Sequence, residues 1–359
     1  LACPCTQRRR ELSPESHTRT ASHQLASQMF LTDKYHALLP VHSAKDHRKA
    51  PAPAAKAGAA VSRFDAALAA RLGSLLPLPA SPLAALARLA DLLAATLADA
   101  VPALSTGRDG DAATVAAHLD SGVALLDACN AIAARVDRLR RRRLLSRLAL
   151  HLLSSPSPTS VQRARAALAD HDAGASSSPP LPLPPVQFVD PPRGKGRQLT
   201  AAARVLLAVN AVSSLAATAA ATILGGGDSG KLNSAASFPL VVTGDLPWTE
   251  SFNALSSQLA VLAVDKTSEV AAVDEAVSKL SAALDSDSTE GEVAADKDNE
   301  AAVRAAAQEV EKRTEELAAL LDHLSDAVNG VFRAALRLRN AELGSFGSVG
   351  PADKTRTKK

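Results

Sequence analysis

The chain has 359 residues, of which 47% are hydrophobic but only 3% are aromatic, and its formal net charge is +3. This length allows two ordinary domains or one elongated helical domain. The small net charge excludes any inference of a nucleic-acid or membrane partner from bulk electrostatics alone. Much of the apolar content is alanine and leucine, which favour helices over a β core. The composition therefore predicts an all-α protein, an elongated bundle of long amphipathic helices.

The cysteine and methionine content bears on compartment and on the start of the protein. Three cysteines, Cys3, Cys5 and Cys129, are too few for a disulfide framework, which suits a reducing, cytoplasmic compartment. Cys129 recurs with apolar residues at helical spacing and is interpreted as a small buried hydrophobe rather than a nucleophile. Met29 is the only methionine, so translation is expected to begin there. The Arg- and Ser-rich stretch before it also fits a chloroplast transit peptide, which ranks second.

Three segments have compositions that do not support a packed helix. Residues 1–60 lack apolar periodicity and end in KAPAPAAKAGAA, so a disordered leader is expected. Residues 172–198 contain SSSPPLPLPP, and such a run favours an extended linker. Residues 344–359 are rich in Gly, Ser and Lys and are expected to be a disordered tail.

Residues 61–171 form the predicted N-terminal helical half. Its first helix begins with Ser62 as a cap, and its second begins at Pro82 after a Ser81 cap and ends at Pro102. A third helix, Asp111–Leu153, would be roughly 60 Å long and needs several partner helices to cover its apolar side. The apolar residues that share one face of it are Val115, Leu119, Leu126, Cys129, Ile132, Val136 and Leu139.

Residues 199–225 are predicted to form an apolar helix, and two interpretations of it stay open. Its segment Val205–Leu224 holds twenty residues without a charge, enough to cross a bilayer, and basic residues flank its N-terminal side. Its Asn, Ser and Thr residues and its alanine content instead favour a helix buried inside a bundle. The residues that would anchor a membrane helix are Val205, Leu206, Leu207, Ile223 and Leu224.

The C-terminal part is predicted to be a helical hairpin. A connector over residues 226–247 leads to a hairpin over residues 248–343. One long helix is expected over Trp248–Leu284, followed by an acidic loop. The next helix has an unbroken heptad pattern over Val303–Leu338. Two long heptad helices joined in this way should pack antiparallel, as in a coiled coil.

Four sequence blocks resemble the plant BYPASS family. They are SRFDAALAARLGSLLP (residues 62–77), HLDSGVALLDACNAI (118–132), FPLVVTGDLPWTESFNALSSQL (238–259) and VNGVFRAALRLRNAEL (328–343). Their order and spacing match that family over roughly residues 61–343. The residues that carry the signature are Leu125, Leu126, Asp127, Cys129, Asn130 and Trp248.

The resemblance implies a role in plant development without known catalysis. BYPASS proteins are helical, and the founding member restrains a root-derived, carotenoid-linked mobile signal that arrests shoot growth. Related members bind an exocyst subunit and affect polarised secretion. A membrane span is often predicted for the family near the position of Val205–Leu224 here. A cytoplasmic, membrane-associated protein, with a single membrane pass as an option, is therefore expected, and exocyst binding is the alternative function.

No motif in the sequence predicts catalysis, a metal or a cofactor. Residues 225–232, GGGDSGKL, approach a nucleotide-binding loop, but Leu232 stands where Ser or Thr must bind Mg²⁺. Five arginines form a dense basic turn: Arg138, Arg140, Arg141, Arg142 and Arg143. We rank intramolecular pairing or solvation first for this turn, anionic lipid second and nucleic acid third, since the aromatic residues that stack on bases are missing. Protein partners are expected and nucleic acid is not.

Overall fold

Eight α-helices and no strand form the part of the chain that the computed structural model describes, namely residues 53–105, 112–154, 157–176, 199–225, 239–264, 268–286 and 295–347. The helices are α1 (Pro53–Ser74), α2 (Pro82–Ser105), α3 (Ala112–Leu153), α4 (Pro158–Ser176), α5 (Ala201–Leu224), α6 (Thr249–Val264), α7 (Glu269–Ser286) and α8 (Ala295–Gly347). The all-α fold class is confirmed. The predicted leader before residue 53, most of the proline-rich linker and the end of the tail lie outside the described residues.

The two longest helices are α3 and α8, and an apolar stripe predicts each of them. α3 spans 42 residues, as predicted from its apolar stripe. α8 spans 53 residues and begins before Val303, where the heptad pattern starts. The heptad positions of α8 face the core, and those that are buried include Val310, Thr314, Leu317, Leu321, Leu324, Val328, Val331, Ala335 and Leu338. Periodicity sustained over many turns thus gave a correct prediction for both elements.

The start of α1 differs from the prediction. The helix begins at Pro53, so the predicted disorder is wrong for the last residues of the leader. Proline is well placed at a first helical position, and the alanines after it are strong helix formers. Ser62 therefore lies inside the helix rather than at its cap, and its Oγ donates a hydrogen bond to the carbonyl of Gly58 at 3.0 Å.

The start of α2 agrees with the prediction and its end does not. Ser81 caps the helix, since its Oγ accepts a hydrogen bond from the amide of Ala84 at 3.1 Å. Pro102 lies inside the last turn, and α2 continues to Ser105. A proline near a C-terminus removes one helical hydrogen bond, and the packed N-terminal turns hold the helix regardless.

The predicted single helix over Trp248–Leu284 is two helices. α6 ends at Val264 and α7 begins at Glu269, preceded by Ser268. The Oγ of Ser268 accepts a hydrogen bond from the amide of Ala271 at 3.1 Å and so caps a new helix. The apolar stripe of the sequence is interrupted at one position only, Lys266, which is why periodicity indicates one element.

The C-terminal antiparallel hairpin is confirmed for α7 and α8. Ser286, at the end of α7, donates a hydrogen bond to Oδ1 of Asn299, near the start of α8, at 3.3 Å. Further from the loop, the charge of Arg313 on α8 acts on Glu275 of α7. α7 therefore runs back along the first half of α8, whereas α6 packs against α1 and α5.

α3 and α8 form the antiparallel axis around which the other helices are grouped. Near the start of α3, His118 meets Glu342 at the end of α8, and further along, Arg143 meets Glu315. α2 packs along α8 and on α5, and α1 and α6 complete that group. α4 and α7 cover the other half of α3 and α8.

α5 occupies the interior of the larger group. Among the described helices, α5 is the one whose length and composition would allow it to cross a membrane, and its mean hydropathy is 1.7. α1, α2, α3 and α6 nevertheless pack against it, and 72% of its most apolar window is buried in the protein. Of the predicted membrane residues, Val205, Leu206, Leu207 and Leu224 are buried in the bundle and Ile223 is partly buried.

Candidate functional site

The arginine turn of α3 is used largely inside the protein. Arg142 reaches Asp274 of α7 at 2.5 Å between Nη2 and Oδ1. Arg140 reaches Asp322 of α8 at 2.7 Å, and Arg143 reaches Glu315 of α8 at 3.2 Å. These three arginines are therefore paired within the protein, which is one of the two alternatives ranked first for the turn.

The other two arginines of the turn have different surroundings. The Nε atom of Arg138 is buried and has no hydrogen-bond partner within the described residues. Arg141 is exposed and makes no ion pair with any described residue. Of the five arginines, Arg141 is thus the one that is both exposed and without an ion pair among the described residues.

A buried polar cluster joins α3, α4 and α7 around Arg142. The Nε of Arg142 donates a hydrogen bond to the carbonyl of His171 at 3.3 Å. The imidazole of His171 is 1% exposed, with Nε2 3.9 Å from Oδ1 of Asp274 and Nδ1 3.2 Å from Oδ1 of Asp172. Burial, and next the charge of Arg142, lower the pKa of His171 below its usual value, which keeps the ring neutral at pH 7. Local sequence patterns could not predict this cluster, because its members come from three helices.

A second polar cluster joins the first and third blocks of the family resemblance. Asp65 on α1 is 1% exposed, and its Oδ2 lies 2.5 Å from Nη2 of Arg204 at the start of α5. Burial raises the pKa of Asp65, while the charge and hydrogen bond of Arg204 and the indole of Trp248 oppose that rise. Trp248 is fully buried and meets the ring of Phe252 edge-on at 5.9 Å between centroids. The signature tryptophan therefore lies in the core, beside a buried carboxylate.

A third polar cluster joins the second and fourth blocks. The Nε2 of His118 lies 3.2 Å from Oε1 of Glu342, and both side chains are nearly inaccessible, at 6% and 10% exposure. A cavity of about 20 Å³ adjoins them, and Ser213 and Asn210 of α5 also line it. The Nδ1 of His118 is buried and has no hydrogen-bond partner in the described part of the protein. A cavity of this size accommodates a single water molecule.

The LLDACN signature lies on α3 with one apolar and one outward face. Leu125, Leu126 and Cys129 are buried, whereas Asp127 and Asn130 are exposed. Cys129 borders an apolar cavity of about 30 Å³ between α2, α3, α5 and α8. Burial raises the pKa of its thiol to about 12, so the thiol stays protonated. Within the described residues, no group of three or more His, Cys, Asp or Glu side chains could hold a metal ion.

No protein-family model, no curated protein and no solved structure matches this chain.

Proposed function

We propose that this chain is a non-enzymatic interaction protein of the BYPASS type that acts in plant development. By the resemblance, it would restrain a root-derived, carotenoid-linked mobile signal and so support normal root and shoot growth. The observation that carries the proposal is that the four resembling blocks, which are distant in sequence, lie on helices that pack together in pairs, α1 with α6 and α3 with α8.

The two pairs of blocks are held by different clusters. The first and third blocks meet where α1 packs against α6, and in this region the buried carboxylate of Asp65 pairs with Arg204 of α5. The second and fourth blocks meet through His118 and Glu342. Residues that determine how helices associate are those that a helical family would share. The positions of these blocks therefore support a common bundle rather than a chance likeness of alanine-rich sequence.

The environment of the ionisable side chains supports a structural role for them. Arg142, Asp274 and Asp65 are each engaged by an oppositely charged side chain from another helix. The two cavities described above, about 20 and 30 Å³, are of the size of one or two water molecules rather than of a metabolite. We infer that the protein acts through its surface and its partners.

Genetic rescue tests the proposed function. A plant lacking its BYPASS-type gene should regain shoot growth when the full chain is expressed in the root alone. Grafting tests this directly. A mutant shoot grafted onto a mutant root that expresses the chain is expected to grow normally. Persistent shoot arrest, with the protein present at normal abundance in the root, would refute the proposal.

We propose that α5 remains inside the bundle and that membrane association, where it occurs, is peripheral. Four helices already cover α5, and inserting it into a bilayer would strip those apolar contacts from the other helices. Sodium carbonate or high salt should release the protein from membranes. Retention in the pellet until detergent is added would instead identify α5 as an integral span.

A further inference from the structure

The outward face of α3 carries a second heptad pattern, separate from its buried stripe. Eight exposed residues follow one another at alternating spacings of three and four, and we call them the outer seam. They are Asp127, Asn130, Ala134, Asp137, Arg141, Leu144, Leu148 and His151. Leu144 is 61% exposed and Leu148 is 45% exposed, so large apolar side chains on this seam face solvent. Heptad spacing on an uncovered helix face is the pattern of helix pairing.

The outer seam is chemically asymmetric along the helix. Its N-terminal half, from Asp127 to Asp137, carries acids and small side chains. Its C-terminal half, from Arg141 to His151, carries basic residues and the two leucines. A helix with this polarity is complementary to a copy of itself that runs in the opposite direction, because each half then faces the other.

We propose that the outer seam is a homodimer interface, in which α3 of a second copy packs antiparallel about a two-fold axis level with Leu139. Asp137 then faces Arg141 of the second copy, and Ala134 faces Leu144. Further out, Asn130 faces Leu148, and Asp127 faces His151. By two-fold symmetry each layer occurs twice, as in any isologous interface. The seam residues alternate between two positions of the heptad. Each facing pair joins one of these positions on the first helix to the other position on the second helix, as antiparallel helix pairing requires.

Other arrangements of two α3 helices are less favourable. A parallel pair would place Asp137 on Asp137 and Arg141 on Arg141. An antiparallel pair shifted by one heptad in one direction would bury Asp137 against Leu148 and Arg141 against Leu144. A shift in the other direction would place Asp127 on Leu144. Each alternative leaves a charge against a like charge or an apolar side chain, which is unfavourable.

The charges that surround the seam favour a protein partner over an anionic membrane. Asp137 and Asp322 have side-chain exposures of 63% and 69%, and Glu315 has 54%. These carboxylates pair with Arg140, Arg143 and Arg147, so the flanks of the seam carry charges of both signs and not the uniform positive patch that favours anionic headgroups. Interspersed charges of both signs are typical of the flanks of a helix pair.

Sedimentation of the full chain over a range of concentrations tests the proposal. The wild type is expected to dimerise. Arg141→Asp should raise the dissociation constant about tenfold. It places Asp137 of each copy against an aspartate of the other, and each of these two like-charged pairs should weaken the affinity by about threefold. The double variant Asp137→Arg/Arg141→Asp should recover the wild-type affinity, because its charge layers are exchanged rather than lost.

Lys279→Glu on α7 is the matched control. Lys279 is 66% exposed and pairs with Glu275 on the same helix, so its reversal imposes a similar surface charge change away from the seam. It should leave dimerisation unchanged. Melting curves of dilute protein should be similar for all variants, because the substituted side chains face solvent.

Crosslinking tests the register. In a chain with Cys3→Ser and Cys5→Ser, an Ala134→Cys copy mixed with a Leu144→Cys copy should give the mixed crosslink with a short bis-maleimide in preference to either like pair. A monomer at every concentration up to about 1 mM would overturn the proposal. So would a dimer that Arg141→Asp leaves intact, or crosslinking dominated by like pairs. Binding of anionic vesicles that Arg141→Asp abolishes, in a protein that stays monomeric, would assign the seam to lipid instead.

Discussion

The Nε2 atom of His118 lies 3.2 Å from the Oε1 atom of Glu342, and this buried contact ties the beginning of α3 to the end of α8. The pair lies at one end of the antiparallel pair of helices α3 and α8, where α2 and α5 also pack against each other. Because both side chains are almost inaccessible to water, neither can exchange the contact for hydration while the helices stay packed.

Removing the carboxylate of Glu342 should therefore destabilise the bundle. Glu342→Leu leaves the Nε2 of His118 buried without its acceptor, which costs roughly 1–3 kcal/mol in the free energy of unfolding. Urea denaturation at pH 7, followed by circular dichroism, measures the change. Glu311→Leu, an exposed position on the same helix, is the control and should change stability by less than about 0.5 kcal/mol. Equal effects of the two variants would contradict the assigned role of the pair.

The Asp65–Arg204 pair should make stability depend on pH in a defined direction. The pKa of Asp65 is raised above 3.8 in the folded protein, mainly by burial, so protonation favours the folded state. The contribution of Asp65 is therefore greatest below pH 3.8 and is lost as the pH rises through its folded pKa. Arg204→Met removes the main opposing influence and should raise that pKa further.

The Arg204→Met variant should accordingly lose roughly 2–4 kcal/mol at pH 7 and recover part of it near pH 4.5. The difference in urea midpoint between variant and wild type at the two pH values measures this. Adding Asp65→Asn to Arg204→Met should abolish the recovery, because no carboxyl remains to protonate. A deficit that is the same at both pH values would show that Asp65 does not titrate as described.

Adjacent arginines on α3 should differ sharply in their effect on stability. Arg142 is 10% exposed and binds both Asp274 and the carbonyl of His171, so Arg142→Met should cost about 3 kcal/mol. Arg141→Met, an identical change at an exposed position, should alter stability by less than about 0.5 kcal/mol. Thermal and urea unfolding of the two variants in parallel make the comparison.

Much of the fold follows from local pattern, as the predictions for α3 and α8 illustrate. Their apolar residues recur at helical spacing over many turns, with interruptions in α3 only at Gly122 and at the arginine turn, and no proline lies inside either helix. The gap between α6 and α7 shows the opposite case. There the hydroxyl of Ser268 caps a new helix, and the single interruption of the apolar stripe at Lys266 is too small a signal to predict two elements.

The polar clusters could not be predicted because they depend on how helices associate. The pairing of Arg142 with Asp274 requires α3 and α7 to be neighbours, which no local spacing indicates. The sequence did single out the arginine turn, and intramolecular pairing was the first-ranked explanation. Which of the five arginines would remain outward, namely Arg141, became apparent only from the packing of α7 and α8.

His171 should contribute a pH dependence of the opposite sign to that of Asp65. Its pKa is lowered below 6.5 in the folded protein, first by burial and then by the charge of Arg142. The stability that the neutral ring contributes is therefore present above pH 6.5 and is lost as the pH falls through its folded pKa. In Arg142→Met the lowering by charge disappears, so the His171 resonances in NMR titration should report a higher pKa than in the wild type. An unchanged pKa would contradict the contact between the two residues.

Cys129 should react only when the protein unfolds. Burial raises the pKa of its thiol to about 12, and thiols react with alkylating reagents as thiolates. In a Cys3→Ser/Cys5→Ser background, iodoacetamide at pH 8 should modify the folded protein at least about a thousandfold more slowly than the urea-unfolded chain. Mass spectrometry of the time course measures the two rates.

Since Cys129 also borders the apolar cavity between α2 and α8, Cys129→Ser should lower the free energy of unfolding by about 1–3 kcal/mol by placing a hydroxyl there, whereas Cys129→Ala should lower it less. Rapid labelling of the folded chain would place Cys129 on an accessible surface and contradict the packing of α3 against α8.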